Sequence, residues 1–496
     1  MTDPHPFMDP RQEKLRRELA EPLPHPDAGE MQRLGEEVLA WIVQHLNTLG
    51  NQSIGRTGSR AELEALLREP APEVGLDFSK VLDQFAERVA PFAFRVNHPR
   101  FLAFIPSAPS FLAVLGDMLC AGTNFFAGVW LEAAGPAQVE IVVLDWFKEW
   151  LGYPGEARGV LTGGGSEANL TALAVARDRL PLAERDRAVL YLSDQRHWSI
   201  DRAAKIIGVR PEQVRAVPTG DDYRIDPGAL AGMISWDRAV GLRPWALVGN
   251  GGTTNTGAVD PLAELARLCR AERLWLHVDA AYGWSAMLTT AGRAKLAGIG
   301  EADSITLDPH KWFAQTFEAG CLLVRDGRLL TDTFAIRPDY MQDVAPADDE
   351  VNFCDQGIAL TRRFRALKIW MSVKVLGVGW FRSLVERGAG LAELAGDLLR
   401  DAGCFEILHP PQLSIVCFRY IPQRQRKDGE RSLAELNRLN LALVERLRAT
   451  GRAFLSSTLL RGRVALRFCF VNWQTTAGDV EAIVRLLGEL GAGLEA

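Results

Sequence analysis

The spacing of apolar residues changes twice along the chain, and each change marks a different kind of architecture. From near Asp27, the residues Met31, Leu34, Val38, Leu39, Trp41, Ile42 and Leu46 recur at helical spacing, which predicts a helix with one apolar stripe. Shorter helices are predicted at Arg60 to Arg68 and Phe78 to Val89, while the proline-rich residues 1 to about 27 read as a mobile start. An arm with so little apolar content of its own needs a surface to lie on. From about 109 to 370, short apolar runs (Ala188 to Leu192, Trp245 to Val248, Leu274 to Val278, Cys321 to Val324) alternate with helical stretches at Glu167 to Arg179, Ile200 to Ile207 and Leu262 to Glu272. That alternation predicts a mainly parallel sheet covered by helices. After about 371, strands are expected at Ser414 to Tyr420 and Val464 to Val471, and helices at Leu433 to Leu447 and Ala477 to Leu490. The basic segment Gln423 to Arg431 reads as an exposed loop. The expected division is therefore a helical arm over 1–108, a large α/β domain over 109–370 and a small α+β domain over 371–496.

Composition narrows the function classes. The chain has 496 residues, 47% hydrophobic and 24% charged, ordinary values for a globular protein with a large core. Its formal charge of −6 offers no electrostatic reason for a nucleic-acid or anionic-membrane partner. The most apolar long stretch, Phe101 to Gly122, contains Pro106, Pro109 and Asp117, and reads as buried helix and loop instead of a membrane span. Seven cysteines without Cys-x-x-Cys spacing argue against a disulfide framework or a metal cluster and suit a reducing cytoplasm. The acidic, proline-containing N-terminus does not read as a signal peptide.

The chemistry concentrates after two of the apolar runs. In Leu-Asp-Pro-His-Lys-Trp-Phe (Leu307 to Phe313), Lys311 stands between two rings, where loss of hydration would favour a neutral, nucleophilic amine able to condense with an aldehyde. A surface lysine after an Asp-Pro turn is the alternative. In His277-Val278-Asp279-Ala280-Ala281-Tyr282, an apolar run delivers an acid where open α/β sheets place ligands. The two lie 32 residues apart (311 − 279), enough for a crossover between neighbouring strands. Gly163-Gly164-Gly165-Ser166 opens a helix, with glycines that let a phosphate approach and Ser166 as a hydroxyl and helix cap. An ordinary capped glycine turn stays open. The polar segment between Arg328 and Gly357 reads as a mobile lid.

These blocks, with Asp-Met-Leu-Cys (Asp117 to Cys120), Gly-Ser-Glu-Ala (Gly165 to Ala168), Ser-Asp-Gln-Arg-His (Ser193 to His197) and Arg-Arg-Phe-Arg-Ala-Leu-Lys (Arg362 to Lys368), resemble the group II pyridoxal-phosphate decarboxylases, especially the aromatic-L-amino-acid decarboxylases. The resemblance implies a fold type I enzyme with a seven-stranded-type sheet, pyridoxal 5'-phosphate as cofactor, an amino-acid substrate and a homodimer. It implies Lys311 as the residue that binds the cofactor aldehyde, Asp279 at the ring nitrogen, and Gly165 and Ser166 at the phosphate. His197 would stack on the ring beside the substrate, with Thr254 also touching the cofactor. Asp308 falls where the family places Asn or Asp near the phosphate, and His310 would meet the substrate carboxylate or the phosphate. Ser107 matches a substrate-side hydroxyl. Tyr340 matches the lid tyrosine that resembles a general acid, and tyrosine there goes with amine release, phenylalanine with aldehydes. Arg362 and Arg363 read as solvated charges or a carboxylate pair. The approach Asn97 to Phe101, and two extra residues before Pro136, depart from the aromatic enzymes and leave the substrate side chain open. The expected activity is decarboxylation of an L-amino acid, aromatic by preference. Aldehyde-forming oxidative deamination and an inactive scaffold role are the alternatives.

Overall fold

The computed structural model describes residues 9–336, 339, 343, 346–347, 349–422 and 432–495. The chain divides into two compact units, one up to Phe94 and one from Arg95 onward.

The first unit is helical. Its helices at Ala28–Thr48, Arg60–Leu67 and Phe78–Gln84 match the apolar spacing, and each starts where a side chain accepts a free backbone amide: Asp27 from Glu30, Ser59 from Glu62 and Asp77 from Lys80. A further helix, Pro10–Glu18, lies in the stretch read as mobile; Asp9 caps it and proline occupies its first turn, where no amide partner is needed. None of these helices buries a residue completely, and Met31, Leu67, Val81 and Phe85 stay exposed.

The second unit is built on seven strands: β1 (Arg158–Thr162), β2 (Ala188–Ser193), β3 (Val214–Val217), β4 (Arg243–Asn250), β5 (Trp275–Asp279), β6 (Ser304–Leu307) and β7 (Gly320–Val324). Their order is β1-β7-β6-β5-β4-β2-β3, with β7 antiparallel to both neighbours and the remaining pairs parallel. The four predicted runs are β2, β4, β5 and β7. β5 and β6 pair directly, Asp279 opposite Thr306, so the acid and the lysine segment do leave adjacent strands. β6 escaped the apolar criterion because it reads Ser-Ile-Thr-Leu, yet it is wholly buried. A strand covered on both faces tolerates Ser304 and Thr306 only where they find partners inside, and Ser304 does.

Beyond residue 400 a four-stranded antiparallel sheet, in the order β10-β11-β9-β8, uses β8 (Phe405–Gln412), β9 (Ile415–Tyr420), β10 (Ser456–Leu460) and β11 (Arg463–Cys469). Helices Leu433–Ala449 and Ala477–Glu495 cover it, close to the expected ranges. The division expected at 371 falls inside one long helix, Ala366–Asp401, which bends at Gly377 (φ 73°). The loop expected at 423–431 lies outside the described residues. Among the described residues, no helix is long and apolar enough to cross a membrane, and no cluster of metal-ligating side chains occurs.

Candidate active site

The loops leaving the carboxyl ends of β1, β2, β4, β5 and β6 surround a cavity of about 480 Å³. Gly163 to Ser166 form one wall, His197 another, Thr254 a third, and Asp279, Asp308, His310 and Lys311 complete it. Of the ten sequence candidates, nine fall within the described residues: eight of them line this cavity and Ser107 does not, while Tyr340 lies outside the described residues.

Asp279, at the last position of β5, is buried and fully engaged. Its Oδ2 accepts from Asn169 Nδ2 at 2.9 Å and its Oδ1 from the Ala281 amide at 3.1 Å. Two neutral donors suit a carboxylate that keeps its charge for a cationic partner in the cavity.

Lys311 is not wrapped by the rings beside it in sequence. Trp312 turns into the core and stacks on Tyr282 at 5.4 Å, and Phe313 stacks on Phe381 at 4.0 Å. His310 packs on Phe317 instead. Desolvation by aromatic flanks therefore does not account for this lysine. Its Nζ pairs with Asp308 Oδ2 at 3.0 Å, and the buried Trp312 and Phe313 anchor the loop that presents it. Adjacent residues on a loop point different ways, so flanking rings in sequence are not neighbours in space.

The glycine wall is shaped by close approach. A Cβ on Gly165 would stand 2.8 Å from Asp308 Oδ2, and one on Gly164 3.3 Å from His310 Cε1. Ser166 does not cap the helix: Gly164 is the cap, and no side chain makes a capping hydrogen bond there. The Gly165–Asp178 helix therefore offers its first amides to the cavity, an arrangement that favours an anion.

His197 caps the helix Trp198–Ile206, its Nδ1 accepting from the Ser199 amide at 3.3 Å. Burial lowers the affinity of its ring for a proton, Asp279 opposes that and Lys311 adds to it. Burial likewise lowers His310, whose Nδ1 accepts from the Ala319 amide at 3.2 Å. Ser107 is buried and donates to the Gln315 carbonyl at 3.0 Å, a bond that holds the loop beyond Lys311.

Two motif blocks of the sequence meet behind this site. Lys368 Nζ reaches Asp117 Oδ2 at 3.2 Å and the Thr316 carbonyl at 3.0 Å. Arg362 and Arg363 take the two roles left open for them, one each. Arg363 is exposed, while Arg362 is buried against Glu140 and donates to the Leu161 carbonyl at 2.9 Å, pinning the end of β1. Sequence reading missed Asn169, Ser199, Asn250 and Phe317, all of which line the cavity. Asn169 carried a signal: a polar residue one turn after Gly165, on a helix face otherwise buried through Ala168 and Ala172.

The residues fit pyridoxal phosphate. A lysine amine and an engaged acid share one cavity with an uncapped helix start, the donors and charges that an aldehyde, a pyridinium and a phosphate require. One carboxylate atom, Asp308 Oδ1, is buried without a hydrogen-bond partner beside the glycine wall.

Residues 61–421 match the family model described as the pyridoxal-dependent decarboxylase conserved domain. An aromatic-L-amino-acid decarboxylase of Bacillus atrophaeus is 41% identical over 92% of this chain and 94% of its own. A phenylacetaldehyde synthase of Arabidopsis thaliana is 32% identical over 89% and 91%. Among solved structures, that of Oryza sativa TDC with PLP and tryptamine superposes with a TM-score of 0.90 at 28% identity, covering 96% of this chain and all of that one.

Proposed function

The chain belongs to the pyridoxal-dependent decarboxylase family, and from that premise we propose that it converts an aromatic L-amino acid into the corresponding amine and carbon dioxide. Membership makes it an amino-acid decarboxylase with pyridoxal phosphate as cofactor. The observation that carries the site assignment is the meeting of Lys311 and the engaged carboxylate of Asp279 in one cavity lined by a helix start.

When bound, pyridoxal phosphate supplies an aldehyde that condenses with amines and a protonated ring that accepts the electron pair released as carbon dioxide leaves. Lys311 is the amine that would hold the aldehyde between turnovers. Asp279 would face the ring nitrogen and keep its proton in place. The first amides of the Gly165–Asp178 helix, with Ser166, would take the phosphate. His197 and Thr254 would border the ring, and His310 would stand near the phosphate or the substrate carboxylate. Asp308 holds the Lys311 amine at 3.0 Å and so fixes where it points. Tyr340 is assigned the proton that returns to the substrate carbon, by its position in the sequence.

A homodimer belongs to the same reading. Met31, Leu67, Val81 and Phe85 of the arm stay exposed in a single chain, and a second copy would give them a surface. The seven cysteines are free and buried, in keeping with a cytoplasmic setting. The three-part division at 108 and 370 is proposed with it.

The test is purified protein with pyridoxal phosphate and a panel of amino acids, the products identified by mass. Amines from aromatic substrates are expected; turnover confined to acidic or aliphatic ones overturns the substrate class. A second reading, release of an aldehyde with ammonia and peroxide, draws on the likeness to the phenylacetaldehyde synthase. Peroxide in step with product would favour it.

A further inference from the structure

Behind the wall of the cavity runs a file of buried side chains that the reaction, as assigned above, does not use. Trp275 Nε1 donates to Ser304 Oγ at 2.9 Å, and Ser304 Oγ lies 2.8 Å from His277 Nδ1. His277 Nε2 lies 3.0 Å from Asn169 Oδ1. Asn169 Nδ2 then donates twice, to Asp279 Oδ2 at 2.9 Å and to Ser199 Oγ at 3.1 Å. Ser199 Oγ lies 2.8 Å from His197 Nδ1. Asn169, Ser199, His277 and Ser304 are all buried.

Donor and acceptor chemistry gives this file one direction. A carboxylate only accepts, so Asn169 must turn its amide nitrogen toward Asp279 and its oxygen toward His277. That oxygen also only accepts, so His277 Nε2 carries a hydrogen. Burial keeps His277 neutral, its pKa pushed down to about 4, and its Nδ1 is therefore an acceptor. Ser304 supplies that hydrogen while receiving one from the indole of Trp275, which can only donate. At the other end, Ser199 Oγ accepts from Asn169 and turns its own hydrogen to His197 Nδ1, at which the Ser199 amide also points, so a neutral His197 carries its hydrogen on Nε2. From Trp275 Nε1 to Asp279 and His197 Nδ1 each polar atom of the file has a partner, and reversing any one of them strands another.

We propose that Asn169 is a positioning residue for the decarboxylation: one side-chain amide couples Asp279 to His197, holding the acid oriented and the imidazole as its Nε2–H tautomer. Asn169 lies one turn after Gly165, on the same helix face. A single rigid element thus sets both the helix start offered to the phosphate and the donor offered to the acid. The inference rests on the assignment of Asp279 and His197 to the cofactor. Around His197, Asp279 and Asp308 favour a charged ring, while burial and Lys311 oppose it.

The test compares holoenzymes of the parent, Asn169→Ala, Asn169→Asp, Ser199→Ala and Asp279→Asn. It reads cofactor affinity, the absorbance of bound pyridoxal phosphate against pH, and the pH profiles of kcat and kcat/KM. For Asn169→Ala we expect kcat to fall on the order of 10–100-fold, as for other removals of groups behind a site, with KM nearly unchanged and the absorbance titration displaced. Asn169→Asp, the same shape without a donor, should be at least as impaired; parental behaviour in it would refute the proposal. Ser199→Ala should keep cofactor affinity and displace only the kcat/KM profile. If Asn169→Ala folds and keeps both its kcat and its absorbance titration, the proposal is wrong. If it does not fold, Ser199→Ala decides, and an undisplaced profile there is equally fatal. Asp279→Asn separates the two levels. If it leaves the absorbance titration unmoved, the site assignment itself fails; if it moves the titration and Asn169→Ala does not, only the coupling fails.

Discussion

Two acids of the cavity stand at the ends of neighbouring strands, Asp279 at that of β5 and Asp308 just past that of β6, and are built on opposite terms. Asp279 closes a central strand, and both its oxygens are engaged by neutral donors on fixed elements, the Asn169 amide and the Ala281 backbone. Asp308 sits in a loop with one oxygen on the amine of Lys311 and the other buried without a partner. An acid held by one neutral donor on each oxygen keeps its charge, and a spare lone pair on each, for whatever enters the cavity. A half-satisfied acid that spends its charge on a neighbouring amine is set up to exchange partners. The first end is a wall; the second is where bonding has to change.

The most severe way to test this contrast is at the second end. Lys311→Ala is expected to lower turnover by roughly 1,000-fold or more, the scale on which a lost proton-transferring or nucleophilic group acts, and to abolish borohydride trapping of the cofactor on the protein by mass. Full turnover in that variant would end the assignment. At the first end, Asp279→Ala removes the acceptor of two buried donors. Unsatisfied groups of that kind cost about 1–3 kcal/mol each, and loss of the charge should reduce kcat by about 100- to 1,000-fold. Chemical denaturation of the cofactor-free protein and steady-state kinetics check the two effects separately. If stability did not change, the Asp279 end would not be the rigid one.

A pH experiment reaches the file behind that wall. His277 is held neutral, with its pKa lowered from 6.5 to about 4 by burial. Between those values the unfolded chain binds the proton and the folded one does not. The contribution is therefore complete above pH 6.5 and is lost as pH falls toward about 4. It amounts to something on the order of 3 kcal/mol. Asp260, raised to about 6 by its own burial, acts with the opposite sign, gaining stability as pH falls below that value. The measurement is therefore a difference, parent against His277→Gln, across this window. A flat difference would mean that His277 is not buried neutral.

The smallest effect is expected at Asp308. Asp308→Asn should lower the unfolding free energy by about 1–2 kcal/mol, since it keeps the shape of a buried acid and removes its charge-assisted bond to Lys311. It should tighten binding of pyridoxal phosphate by at least about 5-fold, since two unit charges a few ångströms apart repel by ~1 kcal/mol even in bulk water and by more at a buried site. Weaker binding would show that Asp308 orders donors for the phosphate.

Strand-borne residues were the legible part of this site. Asp279, His197, Thr254 and Lys311 follow runs with enough apolar character, or close enough to one, for their place at a strand end to be read. β6 shows the limit. Its Ser304 and Thr306 hid a central strand because their partners, Trp275 and His277, are supplied by a different strand. Ser166 lines the cavity without capping its helix, and Ser107 donates to the Gln315 carbonyl, since a hydroxyl says nothing about which group it will meet. Arg362 was undecided for the same reason until Glu140 was seen beside it.

By itself the linear chain determined the order of strands and helices and the chemical types delivered at the strand ends, because periodicity and side-chain chemistry are local properties. Only the tertiary structure decided which of those groups touch. It turned Trp312 away from Lys311, gave Lys311 to Asp308, and brought Asn169 from a helix to Asp279 at the end of β5. Such contacts join residues up to 110 positions apart, and their geometry follows from how layers pack, which no local pattern encodes.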